Sequence, residues 1–168
     1  MVIDSTSADV PLNIADEDDF KRVKASAAEG LHIGKPSLNP LTKAWSVPVW
    51  RRLGRPDGGF GGVVLAEVDP AALVSPALRA QAPRSVVGLL GDDGLYRTRF
   101  AGDAALSVGD RLDVAGFMQR IRRARDAHRP VVSPLDGTAR FASAVEMPRF
   151  GLFAVVATDA ETALAGYA

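Results

Sequence analysis

Apolar residues recur at helical spacing near the start of the chain and predict a helix over residues 16–29. Phe20, Val23 and two alanines fall on one face. Asp16 is the expected N-cap, Asp19 occupies the capping-box position, and Gly30 is the expected stop. The same spacing predicts a second helix over residues 113–128, and short helices are expected to begin at Pro70 and Asp159.

Alternating and continuous apolar runs, separated by turn sequences, predict a larger number of strands. Pro48 interrupts one of them and indicates an edge or a bulge. The run 63–66 is apolar throughout and indicates a strand buried on both faces. The predicted strands are 31–36, 43–53, 60–69, 86–90, 95–100, 130–133, 138–146 and 151–158.

Two segments, 60–73 and 151–164, share one pattern in which a strand ends on an aspartate and a helix follows. The two aspartates are Asp69 and Asp159. We interpret the pair as a duplicated unit whose first copy lacks its opening strand. The sequence therefore predicts an α+β fold of two lobes, 1–82 and 83–168, which the family resemblance described next identifies as PAS-like. Each lobe would be a small antiparallel sheet flanked by helices, the first without its N-terminal elements.

Between Asp16 and Asp69 the order of motifs resembles the double-Cache sensors of bacterial diguanylate cyclases and histidine kinases. Residues 87–99 are similar to the opening hairpin of the second lobe in that family. Glu17 and Asp19 stand where the family pattern usually has arginine and tyrosine, two positions that often face the ligand. The matching residues are Asp16 and Phe20, the segment GLHIGKP at 30–36, KAWSVP at 43–48 with Arg51 and Arg52, and DGGFGGVV at 57–64.

The resemblance implies a sensor domain that lies outside the cytoplasm, in the periplasm of a bacterial cell. Such a domain binds a small organic ligand (an amino acid, a carboxylate or an amine), and a homodimer is left open. It is attached to the membrane through flanking helices. The apolar runs of this chain are all far shorter than the roughly 20 residues that cross a bilayer. Its first residues lack the pattern of a signal peptide, so we expect an excised piece of a receptor.

Composition removes several other classes of function. The 20 basic and 20 acidic residues cancel, which gives no electrostatic reason to expect nucleic acid as a partner. The absence of cysteine excludes disulfides and thiolate zinc sites. We find no catalytic triad, no metal-ligand cluster and no cofactor fingerprint, so we predict no catalytic residues, no metal and no cofactor. His32 and His128 are interpreted as structural.

Five residues are candidates for contacting a ligand. Trp45, Trp50 and Arg52 combine aromatic surface with a guanidinium on one strand, which suits a small organic anion or amine. Asp69 could bind an amino group, and Phe20 matches the aromatic position of the family's helix motif. The structural alternatives are that Trp45 belongs to the core and that Asp69 only caps the following helix.

A second hypothesis fits the same residues. The acids at Glu17 and Asp19 also suit a dimerisation or signal-relay module whose pocket is vestigial. A first lobe that is filled by its own side chains would favour that hypothesis over sensing.

Overall fold

The computed structural model describes residues 13–26, 30–39, 42–74, 85–101 and 107–165. The chain forms two compact units. Unit 1 comprises Met1–Gly34 and Pro48–Glu67, and unit 2 comprises Lys35–Val47 and Val68–Ala168. The predicted lobe division at 82/83 falls in a segment outside the described residues and stays a prediction.

The described residues of unit 1 form one helix and three strands. Strand β3 pairs with β1 from Val49 to Arg51 and also with β4. The tight turn between β3 and β4 is closed by Gly58 N, which donates to Arg55 O at 2.9 Å. The elements are α1 (Asp18–Ala25), β1 (Leu31–Ile33), β3 (Trp45–Gly54), whose first residues belong to unit 2, and β4 (Phe60–Val68).

The start of α1 differs from the prediction. Glu17 rather than Asp16 is the N-cap residue, and its side chain makes no capping hydrogen bond. Asp18 and Asp19 in the first turn provide the favourable interaction with the helix dipole. Val23 is buried, as the apolar face predicted. The predicted final turn, residues 27–29, lies outside the described residues.

Strand β4 is not buried on both faces, contrary to the prediction. Val64 is 51% exposed, while Val63 and Leu65 on the opposite face are partly buried. An apolar run cannot by itself distinguish these two cases, since burial depends on what covers each face. Pro48 lies one residue before the paired stretch of β3 and β1, so its missing N–H costs no hydrogen bond between these two strands. Its carbonyl accepts a hydrogen bond from Gly34 N at 2.8 Å.

Unit 2 contains a five-stranded antiparallel sheet in the order β6-β5-β9-β8-β7. Short strand β2 (Ser37–Leu38) also belongs to this unit and pairs with Trp45 and Ser46. The sheet strands are β5 (Ser85–Gly91), β6 (Tyr96–Ala101), β7 (Val131–Val132), β8 (Ala139–Met147) and β9 (Leu152–Asp159), and the helices are α2 (Val114–Asp126), α3 (Ala160–Leu164) and the 3-10 turns η1 (Pro70–Leu73) and η2 (Pro148–Phe150).

The two faces of this sheet are covered by different helices. Helix α2 covers one face, where Phe117 and Ile121 pack against Leu90, Tyr96 and Val155. On the other face a smaller cluster joins the end of η1 to Val87 and Phe100. A Cβ added at Gly88 would lie 2.7 Å from Thr98 O and 3.1 Å from Tyr96 Cε1, so glycine is required for the tyrosine ring to lie on the sheet.

The repeated strand–aspartate–helix ending is present in the structure. Asp69 Oδ1 accepts from Ala71 N at 2.8 Å and caps η1, and Asp159 Oδ1 accepts from Thr162 N at 3.0 Å and caps α3. Asp113 occupies the N-cap position of α2, as predicted, but without a capping hydrogen bond from its side chain. The α+β class with antiparallel sheets is confirmed.

Candidate ligand-binding sites

One face of the unit 1 sheet brings together three of the residues that carry chemistry. Trp50 and Arg52 share this face because side chains two residues apart on a strand point the same way. His32 is the register partner of Trp50 on β1, so it lies on the same face. Helix α1 lies across this face, because Asp19 contacts His32 and Phe20 contacts Phe60.

The contact between Asp19 and His32 depends on a glycine. Asp19 Oδ1 lies 2.8 Å from His32 Nε2, and both side chains are about three-quarters buried or more, at 18% and 25% exposed. A Cβ added at Gly34 would stand only 2.3 Å from Asp19 Oδ2. The carboxylate therefore rests directly on the backbone of Gly34, in the space that any other residue would fill.

Phe60 is the centre of an aromatic and cationic cluster. Its ring meets Phe20 edge-to-face with the centroids 6.0 Å apart. The Arg52 guanidinium carbon lies 5.7 Å from the Phe60 centroid, and Lys24 Nζ lies 5.8 Å from it. These are cation–π distances, and they place positive charge beside the face of the sheet that carries Trp50.

Two nitrogen donors on this face are buried without an acceptor. Trp50 is 3% exposed, and neither its Nε1 nor Arg52 Nε has a hydrogen-bond partner among the described residues. Arg52 Nη2 donates to Gly58 O at 3.3 Å, so one end of the guanidinium is anchored. A buried donor without a partner costs about 1–3 kcal/mol. A ligand carboxylate would supply the missing acceptors.

Trp45 and Asp69 lie in unit 2 and have other surroundings. Trp45 is 45% exposed, so the alternative that it belongs to the core is wrong. Its six-membered ring lies beside Gly109. Asp69 caps η1, as the structural alternative for that residue expected. A ligand-binding role for either residue stays a prediction.

A second candidate site lies inside unit 2, between the sheet and α2. A cavity of about 30 Å³ is lined by apolar side chains, by Tyr96 and by two arginines, Arg99 and Arg140. The arginines are 8% and 9% exposed. Both bind one carboxylate: Asp136 Oδ2 lies 2.7 Å from Arg99 Nη2, and Asp136 Oδ1 lies 2.7 Å from Arg140 Nη1.

Burial and charge shift two pKa values around this cavity. Desolvation raises the pKa of Tyr96 to about 12, so its hydroxyl is neutral at physiological pH. Desolvation of Asp136 opposes its ionisation, but hydrogen bonds from Arg140, Thr138 N, Ser133 and Arg99 prevail and hold the pKa of its carboxyl far below its usual range. The two arginines that line the cavity are therefore bound to an anion that the chain itself supplies.

Sequence reasoning did not place several of these residues in a site. The sequence indicates Asp19 as a capping-box residue and as a departure from the family pattern, and it indicates His32 as structural. Their contact spans 13 residues, which no local pattern can indicate. Arg99, Asp136 and Arg140 carried no signal as a group, although alternation along a strand places an arginine on the buried face of β6 and of β8.

Solved structures of sensory domains share this fold. The extracellular domain of a protein described as a histidine kinase superposes with a TM-score of 0.71 at 24% identity, covering 92% of this chain and 64% of that one. The ligand-binding domain of the Pseudomonas fluorescens chemoreceptor CtaA gives 0.57 at 18% identity in its complex with L-isoleucine, covering 87% and 58%. Its complex with L-serine gives 0.54 at 17%, covering 91% and 65%.

The chain thus has the α+β fold of the extracellular sensor and ligand-binding domains of membrane receptors, as its resemblance to the double-Cache family implied. It spans less than two thirds of the length of each of these structures. No protein-family model matches the chain, and no curated protein does either. None of the helices in the described parts of the chain is long and apolar enough to cross a membrane.

Proposed function

We propose that the chain is the extracytoplasmic sensing part of a membrane signalling protein and that unit 1 recognises an α-amino acid. The observation that supports this most directly is the pair of buried, unpaired donors, Trp50 Nε1 and Arg52 Nε, on the face that α1 covers. The CtaA domain, which shares the fold, was crystallised with L-isoleucine and with L-serine, and this guides the choice of ligands to test.

The three chemical parts of an amino acid each have a counterpart on this face. The ligand carboxylate accepts from Trp50 Nε1 and Arg52 Nε, a charge-assisted arrangement for the guanidinium. The ammonium is attracted to the Asp19 carboxylate, which His32 holds in place at 2.8 Å. An apolar ligand side chain packs on the rings of Phe20 and Phe60, whose edge-to-face contact forms the aromatic wall.

Binding at this face requires α1 to move relative to the strands beneath it, because Trp50 is nearly inaccessible with the helix in place. The ligand-bound and ligand-free arrangements are then two states with different affinity for the amino acid. A ligand that binds only one of them shifts the population towards it. That shift is the signal the domain would deliver to a cytoplasmic output.

The chain offers a direct measurement, because it has only two tryptophans and hence two indole N–H resonances. A ¹⁵N-labelled sample is titrated with L-isoleucine, L-leucine and L-serine, and the Trp50 resonance is assigned by its absence in Trp50→Phe. We expect saturable movement of the Trp50 resonance, while Trp45 stays in place. The result that contradicts the proposal is a Trp50 resonance that none of these three amino acids moves.

Neighbouring arginines provide a matched control for affinity. Arg51 and Arg52 are adjacent on β3 but point to opposite faces, and Arg51 is exposed. Arg52→Gln removes a charged donor worth roughly 1.5–3 kcal/mol, so its Kd should rise by roughly 10- to 100-fold. Arg51→Gln should leave Kd within about twofold. Equal effects of the two substitutions would mean that general surface charge, not the site, governs binding.

The cellular part of the proposal concerns the receptor that contains this chain. Periplasmic exposure is tested in the membrane receptor that contains this chain. A reporter enzyme that is active on only one side of the inner membrane is fused at the position of the chain, and its activity is measured. Ligand-dependent output is tested with the same receptor carrying Trp50→Phe or Arg52→Gln. Output that is unchanged by both substitutions would argue against sensing through unit 1.

The hypothesis of a relay module with a vestigial pocket keeps one observation in its favour. Trp50 is buried and Asp19 already binds His32, so side chains of the domain fill much of this face. A vestigial pocket predicts that no amino acid moves the Trp50 resonance and that Trp50→Phe leaves receptor output intact. The titration therefore separates the two hypotheses.

A further inference from the structure

The strongest feature outside the proposed amino-acid site is the pair of buried arginines in unit 2. Arg99 on β6 and Arg140 on β8 lie on the sheet face that α2 covers, and both line the internal cavity. The carboxylate of Asp136 contacts both guanidiniums, each at 2.7 Å. Asp159 lies opposite Arg140 in the strand register, but its carboxylate caps α3.

Asp136 belongs to a loop that is closed on itself. Ser133 N donates to Thr138 O and Gly137 N donates to Ser133 O, each at 2.9 Å, and Gly137 adopts a left-handed φ of 70°. These bonds hold the loop together whether or not it contacts the sheet. The loop is joined to the pocket mainly by the two ion pairs and by the packing of Leu135 against the core.

The arginines retain binding capacity that Asp136 does not use. Arg140 Nε is buried and has no hydrogen-bond partner among the described residues, although Arg140 is more than nine-tenths buried. The cavity beside it measures about 30 Å³, which exceeds the roughly 10–15 Å³ that one water molecule needs. Its walls include Val86, Phe117 and Val155, so the space suits a small alkyl group.

We propose that unit 2 has a second, independent site, for a short aliphatic monocarboxylate, at which Asp136 acts as a built-in competitor. Beyond its Cα the aspartate side chain is chemically an acetate group. A free carboxylate of two or three carbons takes its place on Arg99 and Arg140 and puts its alkyl end into the apolar cavity. The turn at Asp136 and Gly137 moves aside when the ligand binds and returns when it leaves, while Ser133, Pro134 and Leu135 remain part of the cavity wall.

Displacement is accessible because Asp136 lies at the margin of the pocket, with its side chain 31% exposed. The ligand forms ion pairs equal in number and type to those it replaces, but as a free molecule it also pays the entropy of association that the tethered Asp136 does not. The added burial of the alkyl end then favours the ligand. Movement of this turn changes the connection between β7 and β8, which gives the site a structural output.

The test uses the whole chain and propionate as the probe. We expect propionate to raise the Tm of the unaltered chain by about 3–5 °C at roughly ten times its Kd, and to move the amide resonances of Gly137 and Thr138. Propionamide has the same shape without the charge, and succinate would place a second charge in the apolar cavity. Neither should have an effect at the same ionic strength.

Removal of the built-in competitor gives the second measurement. Asp136→Ala leaves two buried guanidiniums without a carboxylate, so its Tm should fall and propionate should restore most of the loss. Asp126→Ala, which removes a carboxylate beside the exposed Arg125, is the control and should show no propionate-dependent gain. Arg140→Gln, in a chain that keeps Asp136, should abolish the propionate-dependent rise in Tm. If Arg140→Gln fails to fold, the Asp136→Ala measurement still tests the proposal.

Two outcomes would overturn the proposal. One is the absence of any propionate response in both the unaltered chain and Asp136→Ala. The other is restoration of Asp136→Ala without binding to the unaltered chain, because Asp136 would then be a permanent structural ion-pair partner. The site does not depend on unit 1: Trp50→Phe should retain the propionate response, so failure of either proposal is recognised separately.

Discussion

The contact between Asp19 and Gly34 gives a prediction that can be worked out from distances alone. In Gly34→Ala the new Cβ would lie 2.3 Å from Asp19 Oδ2 and 2.9 Å from Pro48 Cγ. The proline ring cannot rotate away, so we expect overpacking of about 1–3 kcal/mol. Movement of the carboxylate would also break its bond to His32, which is worth about 0.5–1.5 kcal/mol. The loss of unfolded-state entropy returns only about 0.4–1 kcal/mol.

The net expectation for Gly34→Ala is a destabilisation of about 1–3 kcal/mol. Gly30→Ala is the matched control, because nothing lies within 4 Å of its added Cβ. It should be neutral or stabilise by up to about 1 kcal/mol. Both are measured by urea unfolding in a Trp45→Phe background, in which fluorescence reports Trp50 in the core of unit 1.

A double-mutant cycle then tests which atom is responsible. In an Asp19→Ala background the cost of Gly34→Ala should fall by about 0.5–1.5 kcal/mol, since one of its two clashes has been removed. An equal cost in both backgrounds would mean that Asp19 does not rest on Gly34. The reasoning would also be refuted if Gly34→Ala and Gly30→Ala unfolded at the same urea concentration. In either case Asp19 would lose its place in the proposed amino-acid site.

Three further predictions concern unit 2. The pKa of the Asp136 carboxyl is lowered in the folded state, so the stabilisation from its ionised form is present above its unfolded pKa of about 3.8 and is lost as the pH falls further. The urea midpoint of the unaltered chain should therefore fall between about pH 5 and about pH 2.5, and the midpoint of Asp136→Asn should change less over the same range. Gly88→Ala should lower stability by about 1–3 kcal/mol by calorimetry, because its Cβ meets Thr98 O at 2.7 Å, and a smaller cost than Gly30→Ala would contradict that contact. Asp159→Ala should cost about 1 kcal/mol through loss of the α3 cap, and Asp113→Ala less than half as much, in the same urea assay; the reverse order would be evidence against the cap.

Much of the secondary structure followed from the sequence, because its causes are local. The strand–aspartate–helix endings at Asp69 and Asp159 are the clearest example. An aspartate after a strand can accept a hydrogen bond from the backbone two or three residues ahead, and this requires no distant partner. Glycine and proline likewise marked the turns correctly, since their effect is on the local backbone.

Burial was predicted less well, because it depends on what a strand faces. The apolar run around Val64 suggested burial on both sides, yet Val64 is exposed. Trp45 and Trp50 stand five residues apart on one strand, and one is exposed while the other is buried. Five residues apart, the two side chains point to opposite faces of the strand if the alternation is regular, but alternation does not say which face is covered. Only the elements packed against each end of the strand distinguish them.

The sequence by itself determined the class of the molecule: its α+β elements, their order and the resemblance to receptor sensor domains. The tertiary structure alone decided which side chains meet. Asp19 reaches His32 across 13 residues, and Asp136 reaches Arg99 across 37. Contacts of this kind depend on sheet register and on the placement of a helix or loop over one face, and neither is encoded in any short stretch of residues. For that reason the sequence named Trp50, Arg52 and Phe20 as candidates, whereas only the fold added Asp19 and His32 to them and brought Arg99, Asp136 and Arg140 together.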